Sequence, residues 1–420
     1  MKKIVLINKS DTTGGAAVAC KRLLNALNQI NVDTKLLVQE KKLSHELVET
    51  TTSTKIKKHI DFYRFAYERL IFSLHERSKE IRFAFSIANT GEDISKNKLV
   101  KQADILHLHW FNQGFLSLKS IEKLIRLDKP IVWTLHDMWA FTGGCHYAGS
   151  CTNYTESCGN CNFLKHPSDS DISVKIFNRK NRIFSRANFT FVTCSNWLAE
   201  SARQSALLKN FRIVSIPNPI DTTVYKPLNK NEVRKLLNLP SNKLLILFGA
   251  ANIFDKRKGW DYFVEALKIL KETHPASPNE VELVLFGKSK QEINKMLPYR
   301  INNLGFIDSE SKMALVYNAA DLFVLPSLED NLPNTIMESF ACGTPVTAFK
   351  TGGIPEMINH LSNGFLADYM SAESLAEGIA WVIFNKNRSE LSANARRKVM
   401  NNYAPEIVAQ RYSNLYQDIQ

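Results

Sequence analysis

The stretch from Leu325 to Glu356 constrains the fold most, because it reads as two successive strand–turn–helix units. A helix is predicted to begin near Asn334 or Thr335, whose side chains can cap it. Gly343 is placed to end that helix, and Pro355 falls in the first turn of a second one. Two helix starts therefore face the carboxyl ends of two strands, where backbone N–H groups favour a bound diphosphate.

Two acidic residues flank the start of the first of these helices. Asp330 and Glu338 stand eight positions apart. A carboxylate beside a phosphate would be repelled, so we expect their partners to be hydroxyl groups of a ribose or a sugar. The alternative is a capped turn with exposed acids, since acidic residues favour the first turn of any helix.

The whole chain alternates apolar strands with amphipathic helices. This alternation predicts an α/β fold with parallel, doubly wound sheets, and a length of 420 residues exceeds the usual size of one domain. A linker marked by prolines lies between Leu208 and Asn229. We therefore predict domains over residues 1–210 and 211–404, followed by a terminal helix over 405–420 that crosses back to the first domain.

Composition narrows the class of protein. No run of eighteen apolar residues occurs, so no segment is predicted to span a membrane. The basic start is followed by an apolar run too short for a signal peptide, which predicts a first strand and a cytoplasmic protein. The net charge of +13 suits nucleic acid, an anionic membrane face or a phosphate-rich substrate, and the sequence contains no nucleic-acid motif.

Two further loops carry signals for anion binding. Gly14 and Gly15 precede a helix, where glycine lets the backbone approach an anion, although a tight strand–helix turn needs glycine as well. Lys256, Arg257 and Lys258 precede another helix, where positive charge is costly unless it holds an anion. The alternative for this second loop is a solvated basic surface.

Histidines stand near the ends of two predicted strands. His107 and His109 lie on one face of the strand from Ala103 to Trp110, and His136 and Asp137 close the next strand. A histidine inside a strand is more often a core residue with its hydrogen bonds satisfied. Because ligands of parallel sheets bind at the carboxyl ends of the strands, histidines at two such ends favour a functional role.

Four cysteines fall within seventeen residues: Cys145, Cys151, Cys158 and Cys161. The last pair has the spacing of a metal knuckle, and four thiolates can close a tetrahedral zinc site, with His146 as a substitute ligand. The alternatives are reduced thiols or two disulfides, although a disulfide framework is uncommon in a cytosolic chain. We predict a structural zinc ion in this loop.

Residues 54–88 combine basic and aromatic side chains and contain neither glycine nor proline. This composition predicts helix throughout the segment. Basic, aromatic, amphipathic helices often lie on anionic membrane surfaces. The alternative is a pair of helices packed on the domain with solvated charges.

The stretch from Leu325 to Glu356 resembles the donor-nucleotide motif of family-4 retaining glycosyltransferases. The matching positions are Pro326-Ser327, Glu338, Ala341-Cys342-Gly343, Pro345-Val346 and Gly352-Gly353-x-x-Glu356. Where the family has the first of two glutamates, this chain has Asp330. The resemblance covers nearly the whole chain and extends to enzymes of bacterial polysaccharide and exopolysaccharide biosynthesis. It implies the GT-B fold, in which two Rossmann-like domains enclose an interdomain cleft.

Other positions match the same family. Lys258 and the following glycine match its K-G pair, and the family's preceding arginine is absent, which leaves Arg257 or Lys256 as the substitute. By resemblance, the catalytic residues are His109, Asp330 and Lys258, while His136 and Asp137 lie on the acceptor side. The donor-binding residues that the resemblance implies are Gly15, Arg257, Lys258, Phe306, Asn331, Leu332, Pro333, Asn334, Thr335, Glu338, Gly353 and Glu356.

The resemblance implies a retaining hexosyltransferase that moves a sugar from a nucleoside diphosphate sugar to a glycan or lipid-linked acceptor in cell-surface polysaccharide biosynthesis. It implies no metal for catalysis, so a zinc ion would be structural. An anionic surface at the inner face of the cytoplasmic membrane is a further expected partner, and nucleic acid is not. The alternatives are a catalytically degenerate glycan-binding or scaffold protein and a sugar-nucleotide epimerase of the same fold.

Overall fold

The computed structural model describes residues 2–288 and 296–419, which form two compact units. The first unit comprises the chain up to Pro219 together with the residues from Val408 onward. The second unit runs from Ile220 to Ile407. Each unit has its own sheet and its own hydrophobic core.

The first unit is built on a parallel sheet. Its strands are β1 (Ile4–Ser10), β2 (Thr34–Glu40), β3 (Val48–Thr50), β4 (Ile105–Leu108), β5 (Ile131–Leu135), β6 (Phe189–Thr193) and β7 (Arg212–Ser215). They pair in the order β3-β2-β1-β4-β5-β6-β7. The helices are α1 (Gly15–Gln29), α2 (Lys55–Ser73), α3 (Lys98–Gln102), α4 (Leu118–Ile125), α5 (Ile172–Phe184) and α6 (Asn196–Gln204). All residues of β4, β5 and β6 are buried, as expected of central strands covered on both faces.

The second unit repeats this design. Its strands are β8 (Leu244–Asn252), β9 (Val281–Lys288), β10 (Ile301–Asn303), β11 (Leu322–Leu325), β12 (Val346–Phe349) and β13 (Gly364–Ala367). They form a parallel sheet in the order β10-β9-β8-β11-β12-β13. The helices are α7 (Lys230–Leu236), α8 (Trp260–Thr273), α9 (Ser277–Glu280), α10 (Glu310–Ala319), α11 (Asn334–Ala341), α12 (Ile354–Met357), α13 (Ala372–Ile383) and α14 (Arg388–Asn402). The predicted fold class, with two parallel α/β sheets, is confirmed.

The change of unit falls at Pro219, later than residue 210, where the sequence-based domains were divided. The reason is that β7 still belongs to the first sheet, where it pairs with β6. A last helix, α15 (Pro405–Asp418), begins in the second unit and continues in the first. There the hydroxyl of Tyr416 lies 2.6 Å from His107 Nδ1, and the hydroxyl of Tyr412 lies 3.0 Å from Thr134 Oγ1.

The prediction of helix throughout residues 54–88 is wrong in its second half. Helix α2 ends at Ser73, and only a short 3-10 turn over Lys79–Ile81 follows. Tertiary contacts override the helical composition there: Phe85 is fully buried in the core, and its carbonyl accepts a hydrogen bond from Arg69 Nη1 at 2.9 Å. None of the described helices is long and apolar enough to cross a bilayer.

Candidate functional site

The turn between β8 and α8 is bound to the turn that follows β11. The amide of Leu328 donates a hydrogen bond to the carbonyl of Arg257 at 2.7 Å. Gly259 has a φ of 70°, and a Cβ there would lie 1.9 Å from the carbonyl oxygen of Pro326. Only glycine tolerates both the left-handed backbone and this approach. The Lys258-Gly259 pair and the Pro326-Ser327 pair, both matched to the family motifs, are therefore held side by side at one edge of the sheet.

This arrangement brings two predicted catalytic residues together. Lys258 Nζ lies 2.8 Å from Asp330 Oδ2, and their side chains are 25% and 15% exposed. Asp330, expected to contact a sugar, forms an ion pair with this lysine. Both groups remain within reach of solvent, so an incoming anion can compete for the ammonium group.

Arg257, the expected substitute for the missing arginine, is oriented by a local ion pair. Its Nη2 lies 3.0 Å from Asp255 Oδ2, and its side chain is about half exposed. The carboxylate of Asp255 also accepts from the amide of Arg257 at 3.0 Å, which caps the short turn over Lys256–Lys258. The guanidinium of Arg257 therefore lies at the surface of the same loop that carries Lys258.

The double glycine after β12 positions Asp330 from the other side. The amide of Gly353 donates to the carbonyl of Asp330 at 3.3 Å. Gly352 has a φ of 55°, and a Cβ there would lie 1.9 Å from that same carbonyl oxygen. A side chain at Gly352 would displace Asp330 and, through it, Lys258. Glu356 lies in α12, directly after this turn.

Helix α11 begins at Asn334, as predicted, but its cap differs from the prediction. Pro333 occupies the N-cap position, with no side-chain hydrogen bond there, and Asn334 and Thr335 lie inside the helix. The preceding Asn331 and Leu332 are buried. Because proline has no side-chain acceptor, no carboxylate or hydroxyl of the cap residue competes with an anion for the first amides of this helix.

Glu338 is almost fully buried on α11, and the hydroxyl of Tyr317 donates to its Oε2 at 3.2 Å. Burial raises the pKa of Tyr317 well above its ordinary value, and the negative charge of Glu338 adds to the effect. Tyr317 therefore stays a hydrogen-bond donor. The sequence analysis missed Tyr317, because a tyrosine on the apolar face of a predicted helix is indistinguishable from an ordinary core residue.

Phe306, one of the donor-binding residues that the resemblance implies, is 58% exposed to solvent. The preceding Gly305 has a φ of 66°, and its carbonyl accepts from the amide of Gly287 at 2.8 Å. An aromatic ring beside this glycine turn can stack on a planar ligand. Gly15, in the first unit, is the first residue of α1, and the left-handed Gly14 caps that helix.

The first unit has a pocket at the carboxyl ends of β4 and β5, lined by His109, Asn112, His136 and Asp137 among others. His109 Nδ1 lies 3.1 Å from His136 Nε2. Burial, with the neighbouring histidines, places the pKa of His109 well below its ordinary value, and burial lowers the pKa of His136 to about 4. Both rings are therefore neutral at physiological pH.

A chain of hydrogen bonds orients these two rings. His136 Nδ1 lies 3.7 Å from Cys194 Sγ, and that thiol donates to Asn218 Oδ1 at 3.2 Å. With the thiol as donor, His136 Nδ1–H points to sulfur and His136 Nε2 accepts from His109 Nδ1–H. His109 Nε2 is then an acceptor, and it is buried without a hydrogen-bond partner among the described residues. Cys194 and Asn218 carried no sequence signal for this role.

Asp137, expected on the acceptor side, is bonded within the protein. Its Oδ2 lies 2.7 Å from His146 Nδ1 and 3.0 Å from Trp110 Nε1, and its Oδ1 accepts from the amide of Trp139 at 2.8 Å. Burial alone would raise the pKa of Asp137, but His146 and the other donors outweigh it and hold the pKa below its usual value. Asp137 thus fixes the wall of the pocket.

His107 is a core residue. Its two ring nitrogens lie 2.6 Å from the hydroxyl of Tyr416 and 2.7 Å from Thr134 Oγ1. Burial lowers the pKa of His107 to about 3. The same strand face therefore carries one histidine with both nitrogens bonded and one, His109, with Nε2 left over.

The cysteine loop packs against the core of the first unit, and its four cysteines are free thiols. The amide of Gly143 donates to Cys158 Sγ at 3.1 Å. Across residues 2–288 and 296–419, no group of three or more metal-ligating side chains is gathered closely enough to hold a metal ion. The four thiols of this loop are not arranged as a zinc site, and the zinc ion stays a prediction.

Comparison with models of known protein families identifies the family of this chain. The model for "Glycosyltransferase Family 4" matches residues 13–224, and the model for "Glycosyl transferases group 1" matches residues 229–398. The chain belongs to glycosyltransferase family 4, as the sequence resemblance predicted.

Individual relatives agree with this assignment. The chain is 25% identical to WcaC of Escherichia coli K12, a glycosyl transferase named for colanic acid biosynthesis, over 75% of this chain and 76% of that protein. It is 26% identical to an uncharacterized glycosyltransferase of Haemophilus influenzae, over 52% of this chain, and spans 58% of the length of that relative.

Among solved structures, Anabaena HepE in complex with UDP-glucose superimposes with a TM-score of 0.63 at 15% identity, covering 100% of both chains. At this identity the likeness concerns the fold, which is GT-B.

Proposed function

We propose that the protein is a retaining hexosyltransferase that moves a sugar from a nucleoside diphosphate sugar to a glycan or lipid-linked acceptor. The reaction would serve cell-surface polysaccharide biosynthesis and take place in the cytoplasm, at the inner face of the membrane. The observation that carries the proposal is the contact between Lys258 and Asp330, which combines a cation for phosphate and an acceptor for hydroxyls beside the start of α11.

The hard step in such a transfer is departure of the nucleoside diphosphate, on which negative charge develops. Lys258 would leave Asp330 and pair with a phosphate oxygen, and the first amides of α11 would add hydrogen bonds. Arg257, on the same loop, would supply a second positive charge. Asp330, released from the lysine, would accept hydrogen bonds from sugar hydroxyls.

Glu338 suits the ribose of the donor. A buried carboxylate with one oxygen held by Tyr317 is fixed in orientation, and it can accept both hydroxyls of a ribose. Phe306, exposed on its glycine turn, would stack on the base. These contacts are made equally in the ground state and the transition state, so they would set donor affinity more than turnover.

His109 would act on a hydroxyl group. Its lowered pKa keeps the ring neutral, and its Nε2 is left as an acceptor in the pocket of the first unit. A neutral imidazole nitrogen in this state can accept a hydrogen bond from a sugar hydroxyl, whereas an imidazolium could not. His136 and Asp137 would hold the pocket in shape.

The test is a donor assay with the full chain. Purified protein is incubated with several nucleoside diphosphate sugars, and release of the nucleoside diphosphate and the anomeric configuration of the product are measured. We expect release from one or a few donors and a product that retains the donor's configuration. Donor binding without turnover on any acceptor would favour the degenerate binding protein, and a changed sugar still attached to the nucleotide would identify an epimerase.

A further inference from the structure

Helix α2 presents an apolar stripe to solvent. Five of its side chains and that of Leu74, the residue that follows it, are each between 43% and 72% exposed and make up this α2 stripe: Ile56, Ile60, Tyr63, Tyr67, Leu70 and Leu74. Their spacing alternates between four and three residues, so they lie along one face of the helix. Large exposed apolar patches mark interaction surfaces in soluble proteins.

The opposite face of α2 is anchored to the protein through polar contacts. Glu68 and Arg69 are buried and paired at 3.0 Å, and Glu68 Oε1 accepts from the amide of Ala88 at 3.1 Å. Arg69 donates to the carbonyl of Phe85, and Phe72 is fully buried beside them. The orientation of the helix is thereby fixed, with Glu68 and Arg69 inward and the apolar stripe outward, which is the reverse of an ordinary solvated helix.

The charge around the stripe is positive. Lys55, Lys57 and Lys58 are exposed in the first turn of α2, and Arg77 and Lys79 are exposed just beyond its end. Three of the four acids in this segment have a basic partner within it: Asp61 lies 3.0 Å from Arg64, Glu76 pairs with Arg82, and Glu68 pairs with Arg69. The lysines in the first turn therefore add positive charge that these acids do not offset.

We propose that the α2 stripe and its lysines form the surface that docks the protein on an anionic lipid bilayer. The stripe would enter the boundary between headgroups and acyl chains, where tyrosine rings are favoured, while the lysines pair with lipid phosphates. The other occupant that a four-three spacing suits is a helix of a second copy. In either direction of pairing, two copies would bring basic ends of the helix together and place four tyrosines in the seam, so charge favours the lipid surface.

The helix that carries the stripe packs, through its other face, against a loop of the histidine pocket. A Cβ on Gly114 would lie 2.7 Å from the backbone nitrogen of Phe65, so the loop after β4 passes directly against α2. Lys9 Nζ bonds to the carbonyl of Gln113 at 2.6 Å and lies 5.5 Å from the centre of the Phe65 ring. The same loop carries Asn112, which lines the pocket. Docking would bring a lipid-linked acceptor to this pocket, a consequence that rests on the proposed function.

The experiment is co-sedimentation of the full chain with vesicles of phosphatidylcholine alone or with phosphatidylglycerol, over a range of salt concentrations. Two variants are compared with the natural sequence: Lys55→Glu with Lys57→Glu and Lys58→Glu, and Ile56→Ser with Tyr63→Ser and Leu70→Ser. Glutamate in the first turn of a helix favours the helix, so the first variant is expected to fold. The matched charge control is Lys235→Glu with Lys268→Glu and Lys271→Glu, three exposed lysines of the second unit.

We expect binding to phosphatidylglycerol vesicles, weakening as salt rises, and little binding to phosphatidylcholine. Reversal of the three α2 lysines should weaken binding by about a hundredfold or more, since each basic residue near the surface contributes about 1 kcal/mol, which is about fivefold in affinity, and three such factors multiply. The serine variant should also lose binding, and the charge control should keep it. Nucleotide release from the donor, measured without vesicles, should be the same in all variants, which separates failure of docking from failure of the proposed function.

Three results would overturn the proposal. Equal binding to both kinds of vesicle would remove the role of charge. Binding by the charge-reversed α2 variant equal to that of the control would assign the attraction to net charge alone. A protein that ignores vesicles but forms dimers that the serine variant abolishes would make the α2 stripe an interface between two copies.

Discussion

Each unit carries a candidate site at the carboxyl ends of the strands of its own sheet, yet the two sites differ in charge. In the first unit, His109 and His136 are neutral rings in a buried network, and Asp137 is bonded to three donors. In the second unit, Lys258 and Asp330 form a partly exposed ion pair. One edge suits a neutral hydroxyl, and the other suits an anion that can displace a carboxylate.

This comparison shows that the hydrogen-bond partners of a buried polar group help to distinguish structural groups from functional ones. A buried polar atom is normally bonded, so each exception needs an explanation. His107 has partners for both ring nitrogens and is a structural residue, whereas His109 Nε2, two residues further along the chain, has no hydrogen-bond partner among the described residues. In the second unit the criterion is whether the partner of a charged group can be exchanged. Asp330, the partner of Lys258, is partly exposed to solvent, so an anionic ligand can replace it.

The largest effect should come from removing the cation of the second unit. Lys258→Ala is expected to lower kcat/KM for transfer by at least about 2 kcal/mol, or about thirtyfold, because the leaving diphosphate loses its charge partner. The melting temperature should change little, since the side chain is partly exposed. Lys271→Ala, at an exposed position on α8, is the control. Normal turnover and donor affinity in the Lys258 variant would contradict the assignment.

A smaller and graded effect should come from Glu338 and the tyrosine that holds it. Glu338→Gln removes a charged acceptor and should weaken donor binding by about 2 kcal/mol. Tyr317→Phe removes only the hydrogen bond to Glu338 and should cost about 1 kcal/mol in donor affinity, with kcat nearly unchanged. Calorimetric titration with the nucleoside diphosphate measures both. Equal losses in the two variants would mean that the tyrosine supports the fold of α10 and α11 and has no separate effect on the site.

The neutral network of the first unit predicts a dependence of stability on pH. Burial lowers the pKa of His107 to about 3 and that of His136 to about 4, while an unfolded histidine titrates near 6.5. Between about pH 6.5 and 4 the unfolded chain binds protons that the folded chain does not, so stability falls as the pH is lowered through this window. Each histidine contributes a slope of up to about 1.4 kcal/mol per pH unit.

The measurement is the unfolding temperature at several pH values in that window. His107→Phe should unfold at a lower temperature but with a shallower dependence on pH, because one of the groups that cannot be protonated in the fold is gone. The carboxylate of Asp137, whose pKa lies below its usual value, contributes at lower pH and does not mask the effect. If the unfolding temperature of the variant depended on pH as steeply as that of the natural sequence, His107 would not be the source of the pH dependence.

Much of the fold followed from the sequence, because alternating strands and helices with glycine and proline between them leave few arrangements. Local pattern failed where distant residues decide the outcome. Helix α2 stops at Ser73 although nothing in the composition ends it, since Phe85 enters the core instead. His107 and His109 look alike in sequence, and the difference is made by Tyr416, far along the chain on α15.

In the candidate site, too, the identity of the residues could be predicted and their geometry could not. The motif residues Lys258, Asp330 and Glu338 could be named from spacing and resemblance. Their mutual geometry could not, because the contact of Lys258 with Asp330 and the support of Glu338 by Tyr317 join residues from different elements. The absence of a side-chain cap at α11 also escaped prediction, since Asn334 and Thr335 are both good caps by residue type and Pro333 takes the position.

The smallest effect on transfer is expected from the cysteine loop. We propose that Cys145, Cys151, Cys158 and Cys161 take up one structural zinc ion per chain as its four thiolate ligands. Metal analysis of the purified protein should find about one ion, by the four-ligand rule. Because the loop carries His146, which contacts Asp137, removal of zinc by a chelator should lower the unfolding temperature of the first unit alone.

Nucleotide release at the second unit should be unchanged after chelation, because its cations are Lys258 and Arg257. Cys158→Ser should reproduce the effect of the chelator, and Cys20→Ala, a buried cysteine outside the loop, should not. A stable protein with no metal and four titratable thiols in the loop would refute the zinc ion. Loss of nucleotide release on chelation, restored by zinc, would instead make the metal part of catalysis and remove the contrast between the two units.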